Sequence, residues 1–154
     1  MRPHLEYAVQ AWSHWNAGDK EALESVQRRA VGMISNLRGR TYEERLAELC
    51  ETTLETRRKR GDMIQTYRIL SGKDKVSYST WFTLAGQAPA NDMTRTRSET
   101  GFQNIKRIEA KGEVRRNTFA PIVVAPWKAL SIEVKLAPTV NTFKNRYVLV
   151  IVLK

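Results

Sequence analysis

The chain is poor in the residues that usually build a catalytic or metal centre. Of its 154 residues one is a cysteine, Cys50, and two are histidines, His4 and His14. A single cysteine excludes an intrachain disulfide and a cysteine-based zinc site. Two isolated histidines, neither in a Glu-x-x-His setting, are too few for a zinc cluster. There is no Asp-Asp pair, no Gly-x-Ser-x-Gly elbow and no glycine loop of the phosphate-cradling kind. Long apolar runs are missing as well. The longest, Val148 to Leu153, has six residues, where a membrane-spanning helix needs about 18. The opening Met1-Arg2-Pro3-His4-Leu5 carries no apolar signal-peptide core. The expectation is an intracellular, soluble protein, cytoplasmic or nuclear, with no cofactor, no metal, no membrane partner and no small-molecule substrate.

What the chain does have is positive charge. Lys and Arg number 26 against 16 Asp and Glu, a formal net charge of +10. The excess is uneven: residues 1–50 hold 7 basic and 7 acidic residues, residues 51–154 hold 19 and 9. Such a field points to a polyanionic partner, nucleic acid or an anionic membrane surface. Hydrophobic content of 42% is ordinary for a globular chain, and the length suits one domain with room for a subdomain split.

The first half has helical periodicity. Leu5, Ala8, Val9 and Trp12 predict a short helix over 4–12, broken at Asn16-Ala17-Gly18. Asp19 is the expected N-cap of a helix over 20–37, whose stripe is Leu23, Val26, Ala30, Met33, Ile34 and Leu37; Gly39 closes it. Thr41-Tyr42-Glu43-Glu44 has the form of a capping box and opens a helix to about Leu49. A longer helix is expected from Thr53 to Ser71, with Met63, Ile64, Tyr67 and Leu70 on its later apolar face and Gly72 beyond its end.

The second half is less regular. Ser79 to Phe82 suits one helical turn, and 85–94 has linker composition. One or two short strands are expected in 95–109. A final helix is expected over 139–147, capped by Thr139, with Val140, Phe143 and Tyr147 on one side. The expected organisation is a helical segment over 1–75, a linker over 76–94 and a basic C-terminal segment over 95–154. The fold class is mainly α: about four helices, then short strands and a last helix.

Several phrases occur in a telling order: Arg2-Pro3-His4-Leu5-Glu6-Tyr7-Ala8, Leu23-Glu24-Ser25-Val26-Gln27-Arg28-Arg29-Ala30, Tyr42-Glu43-Glu44-Arg45-Leu46 and Thr53-Leu54-Glu55-Thr56-Arg57-Arg58-Lys59-Arg60-Gly61-Asp62. Tyr67 to Lys73, Thr94-Arg95-Thr96-Arg97 and Val114-Arg115-Arg116-Asn117-Thr118-Phe119 follow, then Val123-Val124, Trp127, Leu130 and Phe143-Lys144. In this order they resemble the region after the polymerase core of non-LTR retrotransposon reverse transcriptases, the jockey-like group in particular. The resemblance covers about residues 2–147. It implies a helical thumb-like bundle and a C-terminal segment of an RNA-directed DNA polymerase from a mobile element, truncated before the catalytic palm. A reverse transcriptase holds its two metal ions on adjacent aspartates, and this chain has none, so no enzyme activity is expected of it alone.

The chain departs from that pattern in three places. Pro121 and Pro126 fall inside a stretch, Thr118 to Leu130, where the resemblance implies a helix. Interior prolines cost roughly 3 kcal/mol each, and two of them are expected to break it. Cys50-Glu51 stands where the group tends to have a glycine and an apolar residue. The tail Val148–Leu153 is strand-prone and uncharged, an aggregation hazard.

The candidate nucleic-acid-binding residues are basic. Arg57, Arg58, Lys59 and Arg60 sweep about 300° of a helix at about 100° per residue, so one or two must snorkel or pair with acids such as Glu55 and Asp62. The run reads either as a solvated face or as a phosphate-contacting edge, and the resemblance favours the second. Arg28 and Arg29 have the same two readings, with Glu24 and Glu21 as helical partners. Arg95, Arg97, Arg115 and Arg116 form a second cluster with Lys106 and Arg107, interleaved with Phe102 and Phe119. The two phenylalanines, like Trp12, Trp15, Trp81 and Trp127, are expected in the core. The expected partners are RNA, RNA–DNA hybrid or DNA backbone, bound without sequence preference, and the missing polymerase palm. The rivals are a protein-interaction module with an exposed Leu23–Leu37 stripe, and an inert, partly degenerate translated fragment.

Overall fold

In the computed structural model of the chain the described residues are 16–84, 105–106 and 112–152. The helix expected over 4–12, Trp12, Trp15, the 85–94 stretch and Phe102 lie outside them. The described chain is mainly helical, with seven α-helices: α1 Ala17–Gly32, α2 Tyr42–Glu48, α3 Leu54–Leu70, α4 Glu113–Arg116, α5 Phe119–Ala129, α6 Ile132–Lys135 and α7 Val140–Val152. Two 3₁₀ turns, Ser35–Leu37 and Tyr78–Thr80, join them. Of the stretch 95–109, where short strands are expected, only residues 105–106 lie among the described residues. There an isolated antiparallel bridge joins Leu84 to Ile105, whose side chain is fully buried in the core.

The chain packs as two compact units, Met1–Gly61 and Asp62–Lys154. The division falls within α3. Residues 76–84 are packed in the second unit, with Phe82 and Leu84 in its core.

In the first unit α1 starts earlier and stops sooner than its periodicity suggests. Asn16, in extended conformation, occupies the N-cap position, and Asp19 sits in the first turn, where a carboxylate still favours the helix dipole. The helix ends at Gly32, followed by the 3₁₀ turn, and Gly39 (φ +83°) lies beyond that turn. A helix-period stripe continues across a break because Ile34 is extended. The α2 cap is the one written in the sequence. Thr41 Oγ1 accepts from the Glu44 N–H at 3.3 Å, and Glu44 accepts from the Thr41 N–H at 2.8 Å. The Thr41 N–H, and after it the Thr41 side chain, hold the Glu44 carboxyl below its usual range.

Both α2 and α3 end in a Schellman motif. At α3, Gly72 (φ +67°) donates to Ile69 O at 3.2 Å and Lys73 to Arg68 O at 3.0 Å. At α2, Cys50 (φ +52°) donates to Ala47 O at 3.0 Å and Glu51 to Leu46 O at 2.8 Å. The left-handed position takes glycine in one case and cysteine in the other. A side chain there crowds its own backbone by about 1 kcal/mol.

The second unit is built on an aromatic core. Phe143 of α7, fully buried, stacks on Tyr67 of α3 at 4.5 Å, on Tyr147 at 5.8 Å and on Trp127 of α5 at 6.0 Å. Met63, Leu70, Val123, Val124 and Val134 fill the space around them. Tyr67 Oη donates to the Ala137 carbonyl at 2.5 Å and Lys73 Nζ to the Pro138 carbonyl at 2.9 Å. Arg146 donates to the Glu133 carbonyl. Three side chains thus pin the α6–α7 connection.

Two sequence expectations fail here for identifiable reasons. First, α5 runs unbroken through both prolines. Its first i→i−4 bond is Ile122 N to Thr118 O, so Pro121 falls in the first turn, where no bond is lost. Pro126 does remove one bond, but Phe119, Val123, Val124 and Trp127 on the same helix are buried. Burial of that size, about 1.5–3 kcal/mol per large side chain, outweighs a missing hydrogen bond. Second, residues 148–152 are helical and continue α7 beyond 147. Thr139 Oγ1 accepts from the Thr142 N–H at 3.1 Å. Val150 and Ile151 then pack on the core at helical spacing from Phe143 and Tyr147, which overrides the β-propensity of the run.

Candidate nucleic-acid interface

The basic run on α3 is not a single outward edge. Arg58 is 6% exposed. Arg57 is nearly buried: it pairs with Glu51 at 2.9 Å and donates to the Gln27 side chain. Arg60 is half-buried. Lys59 alone is fully outward, bonded to Glu55 at 2.9 Å one turn back. That bond holds the Glu55 carboxyl below its usual range. Four successive cations on a helix face four directions, and here one of the four reaches solvent freely.

Arg28 and Arg29 are both exposed. Arg28 pairs with Glu21 at 2.8 Å and lies over the Tyr42 ring at 5.1 Å. The i,i+4 partner Glu24 is engaged elsewhere, so the pair spans two turns instead. Arg29 is in no ion pair among the described residues. Arg95, Arg97 and Arg107 lie outside the described residues. Arg115, Arg116 and Lys106 are exposed, the two arginines closing the four-residue α4. Phe119 is in the core as expected, and Trp127 is fully buried. Trp81, also expected in the core, is 42% exposed. It sits at the end of a single 3₁₀ turn, where its neighbour Phe82 takes the core position.

A polar cluster in the first unit was not apparent from spacing. Glu24 accepts from Tyr42 Oη and, at 3.0 Å, from the N–H of Leu54, the first residue of α3. Its negative charge therefore sits on the positive end of α3 and satisfies a terminal N–H. Burial and the Glu24 contact push the Tyr42 phenol well above its ordinary range. Gln27 Nε2 donates to Thr52 O at 3.2 Å while its oxygen receives Arg57. The signal was present as Glu24-x-x-Gln27 on one helix face, but its partners lie up to 30 residues away.

The outward side of α1 is partly apolar. Val26 on α1 is 41% exposed; Met33, at the helix end, and the extended Ile34 beyond it are 75% and 37% exposed. Of the expected stripe Leu23 to Leu37, only Leu37 is buried.

In the second unit the exposed cations among the described residues are Arg68, Lys73, Lys75, Lys106, Arg115, Arg116, Lys128 and Arg146. Arg68 pairs with Asp74 at 2.7 Å. Lys73 and Arg146 are engaged on carbonyls as described above. Lys135 is instead buried, its Nζ 3.4 Å from the Lys128 carbonyl, and burial lowers its pKa.

Among the described residues no group of three His, Cys, Asp or Glu side chains could hold a metal ion. No described helix is long and apolar enough to cross a membrane. No protein-family description, no curated protein and no solved structure was found to match the chain.

Proposed function

We propose that the chain is a non-catalytic fragment related to the thumb and C-terminal region of a non-LTR retrotransposon reverse transcriptase. In this reading it binds RNA, RNA–DNA hybrid or DNA through phosphates, without sequence preference. The observation that carries the reading is the charge of the second unit. Asp62–Lys154 holds 15 Lys and Arg against 7 Asp and Glu, and most of its described cations are exposed. Burial of Arg58 and pairing of Arg57 move the emphasis away from the α3 run. Phosphate contact is carried instead by Lys75, Lys106, Arg115, Arg116 and Lys128, with Arg29 and Lys59 in the first unit.

The test is fluorescence anisotropy of a labelled RNA–DNA hybrid titrated with the chain across a salt series. The logarithm of affinity should fall linearly with log salt, by about 0.9 per phosphate neutralised on a duplex. Arg115→Gln with Arg116→Gln should flatten that slope. Absence of binding at low salt by folded protein removes the reading.

A second reading, a protein-interaction surface, is favoured by the uncovered apolar positions Val26, Met33 and Ile34. Large apolar side chains left in water near one another are a usual mark of interaction sites. Sedimentation of the chain against a Val26→Lys, Met33→Lys variant tests it: equal behaviour at high concentration counts against self-association through α1.

A further inference from the structure

Trp81 is the one described tryptophan that faces solvent while being fixed from behind, and its neighbours are cations. Its ring meets the buried Phe119 edge-on, centroids 6.0 Å apart and planes at 79°. Phe119 holds Phe82 in the same way at 6.1 Å and 61°. The Trp81 N–H donates to Tyr78 O at 3.0 Å, so backbone and ring are both anchored. The contact with Phe119 sets Trp81 beside the α4–α5 junction, which carries Arg115 and Arg116 four and three residues before Phe119. Lys106 donates its backbone N–H to Thr83 O at 2.7 Å, two residues along from Trp81. Three exposed cations therefore lie on the segments that meet Trp81 and its chain neighbour Thr83, and Glu113 is the only described carboxylate in 76–84, 105–106 and 112–119.

We infer that Trp81 is a stacking platform for an unpaired base, with Lys106, Arg115 and Arg116 on the flanking phosphates, so that this surface takes single-stranded nucleic acid. The inference rests on the nucleic-acid reading above and sharpens it from duplex backbone to single strand. A flat ring held from behind loses little freedom when a base stacks on it, and every base offers a π face. A duplex keeps its bases stacked internally and offers the indole nothing comparable. An anionic membrane would need an apolar stripe along a helix. Here Trp81 lies on no α-helix and the exposed Val114 on one of four residues, too little for an interfacial anchor.

The experiment compares a labelled oligouridine with a labelled RNA–DNA hybrid of equal length, titrated with the full chain. Trp81→Leu keeps apolar volume against Phe119 but has no π face; Trp81→Phe keeps one. The Leu variant should bind oligouridine about tenfold more weakly and bind the hybrid as the parent does. The Phe variant should retain most of the single-strand affinity. Lys106→Gln with Arg115→Gln should weaken both ligands and lower the single-strand salt slope by about 0.7 per charge. Equal loss for both ligands in Trp81→Leu, or no loss, overturns the stacking site and leaves phosphate binding intact. Capture by phosphatidylserine vesicles that disappears in Trp81→Leu, with oligouridine binding unchanged, assigns the surface to lipid and overturns it as well. If neither nucleic acid binds at low salt, the broader reading falls and takes this site with it.

Discussion

The two units of this chain solve the same problem with different materials. In Met1–Gly61 the described helices are tied by polar groups: Glu24 on the α3 N-terminus and Tyr42, Gln27 between Thr52 and Arg57, Arg57 on Glu51. Its buried apolar side chains among the described residues are Leu37, Leu46 and Leu54, and apolar Met33 and Val26 are left outside. In Asp62–Lys154 a cluster of 16 buried residues centres on stacked Tyr67, Phe143, Trp127 and Tyr147. Hydrogen bonds give about 0.5–1.5 kcal/mol each and depend on direction; burial is additive over area and indifferent to direction. The first unit is therefore sensitive to the loss of one partner, the second to the loss of volume.

The comparison breaks most severely at Phe143. Phe143→Ala empties the centre of the aromatic stack and should cost about 3–5 kcal/mol. Urea denaturation followed by near-UV circular dichroism would show it, and a loss under 1 kcal/mol would deny Phe143 its central role. In the first unit the corresponding break is Glu24→Ala. It strips a charged cap from α3 and leaves the buried side of Tyr42 without its acceptor, for about 2 kcal/mol. Hydrogen exchange at Leu54 should accelerate, with amides of α5 and α7 unaffected. Acceleration in α5 and α7 as well would contradict a role of Glu24 confined to the first unit.

Lys135→Met sharpens the contrast with the opposite sign. The second unit buries the Lys135 side chain with one long contact from its ammonium, and replacing it with an apolar chain of similar length should stabilise by about 1 kcal/mol. The folded pKa of Lys135 lies below its ordinary 10.5, so between the two values the unfolded chain binds more protons. Parent stability should therefore rise as pH climbs toward 10.5, and the variant should lack that increment. A parallel pH dependence in both proteins would sink the assignment. The smallest effect compares the two helix ends. Cys50→Gly should stabilise by about 0.5–1 kcal/mol by removing a side chain from φ +52°. Gly72→Ala should destabilise by a similar amount at φ +67°. Thermal melts of the pair read both, and equal signs would mean the left-handed geometry is not what matters.

How much of this could be read in advance depended on how far apart the partners lie. The Thr41 capping box, the α3 helix with Met63, Tyr67 and Leu70 inward, and the Gly72 end are contacts within a few residues, and the sequence displays them. The interface was less legible. Charge order along α3 shows that Arg57 to Arg60 cannot all face water, but not that Arg58 is the one withdrawn, because that depends on which side of α3 is covered. Trp81 and Trp127 look alike as residues; packing put one in the core and left the other out.

The sequence by itself determined the helical class, the positive charge concentrated after residue 50 and the caps at Thr41, Gly72 and Thr139, because these follow from local geometry and composition. Tertiary structure decided the rest. It carried α5 through Pro126, since burial of Val123, Val124 and Trp127 exceeds one lost hydrogen bond. It drew the Val148–Val152 run into α7, since Val150 and Ile151 gain a core only as a helix. It also selected which cations remain in water, because solvation of a charge depends on neighbours that the chain order does not reveal.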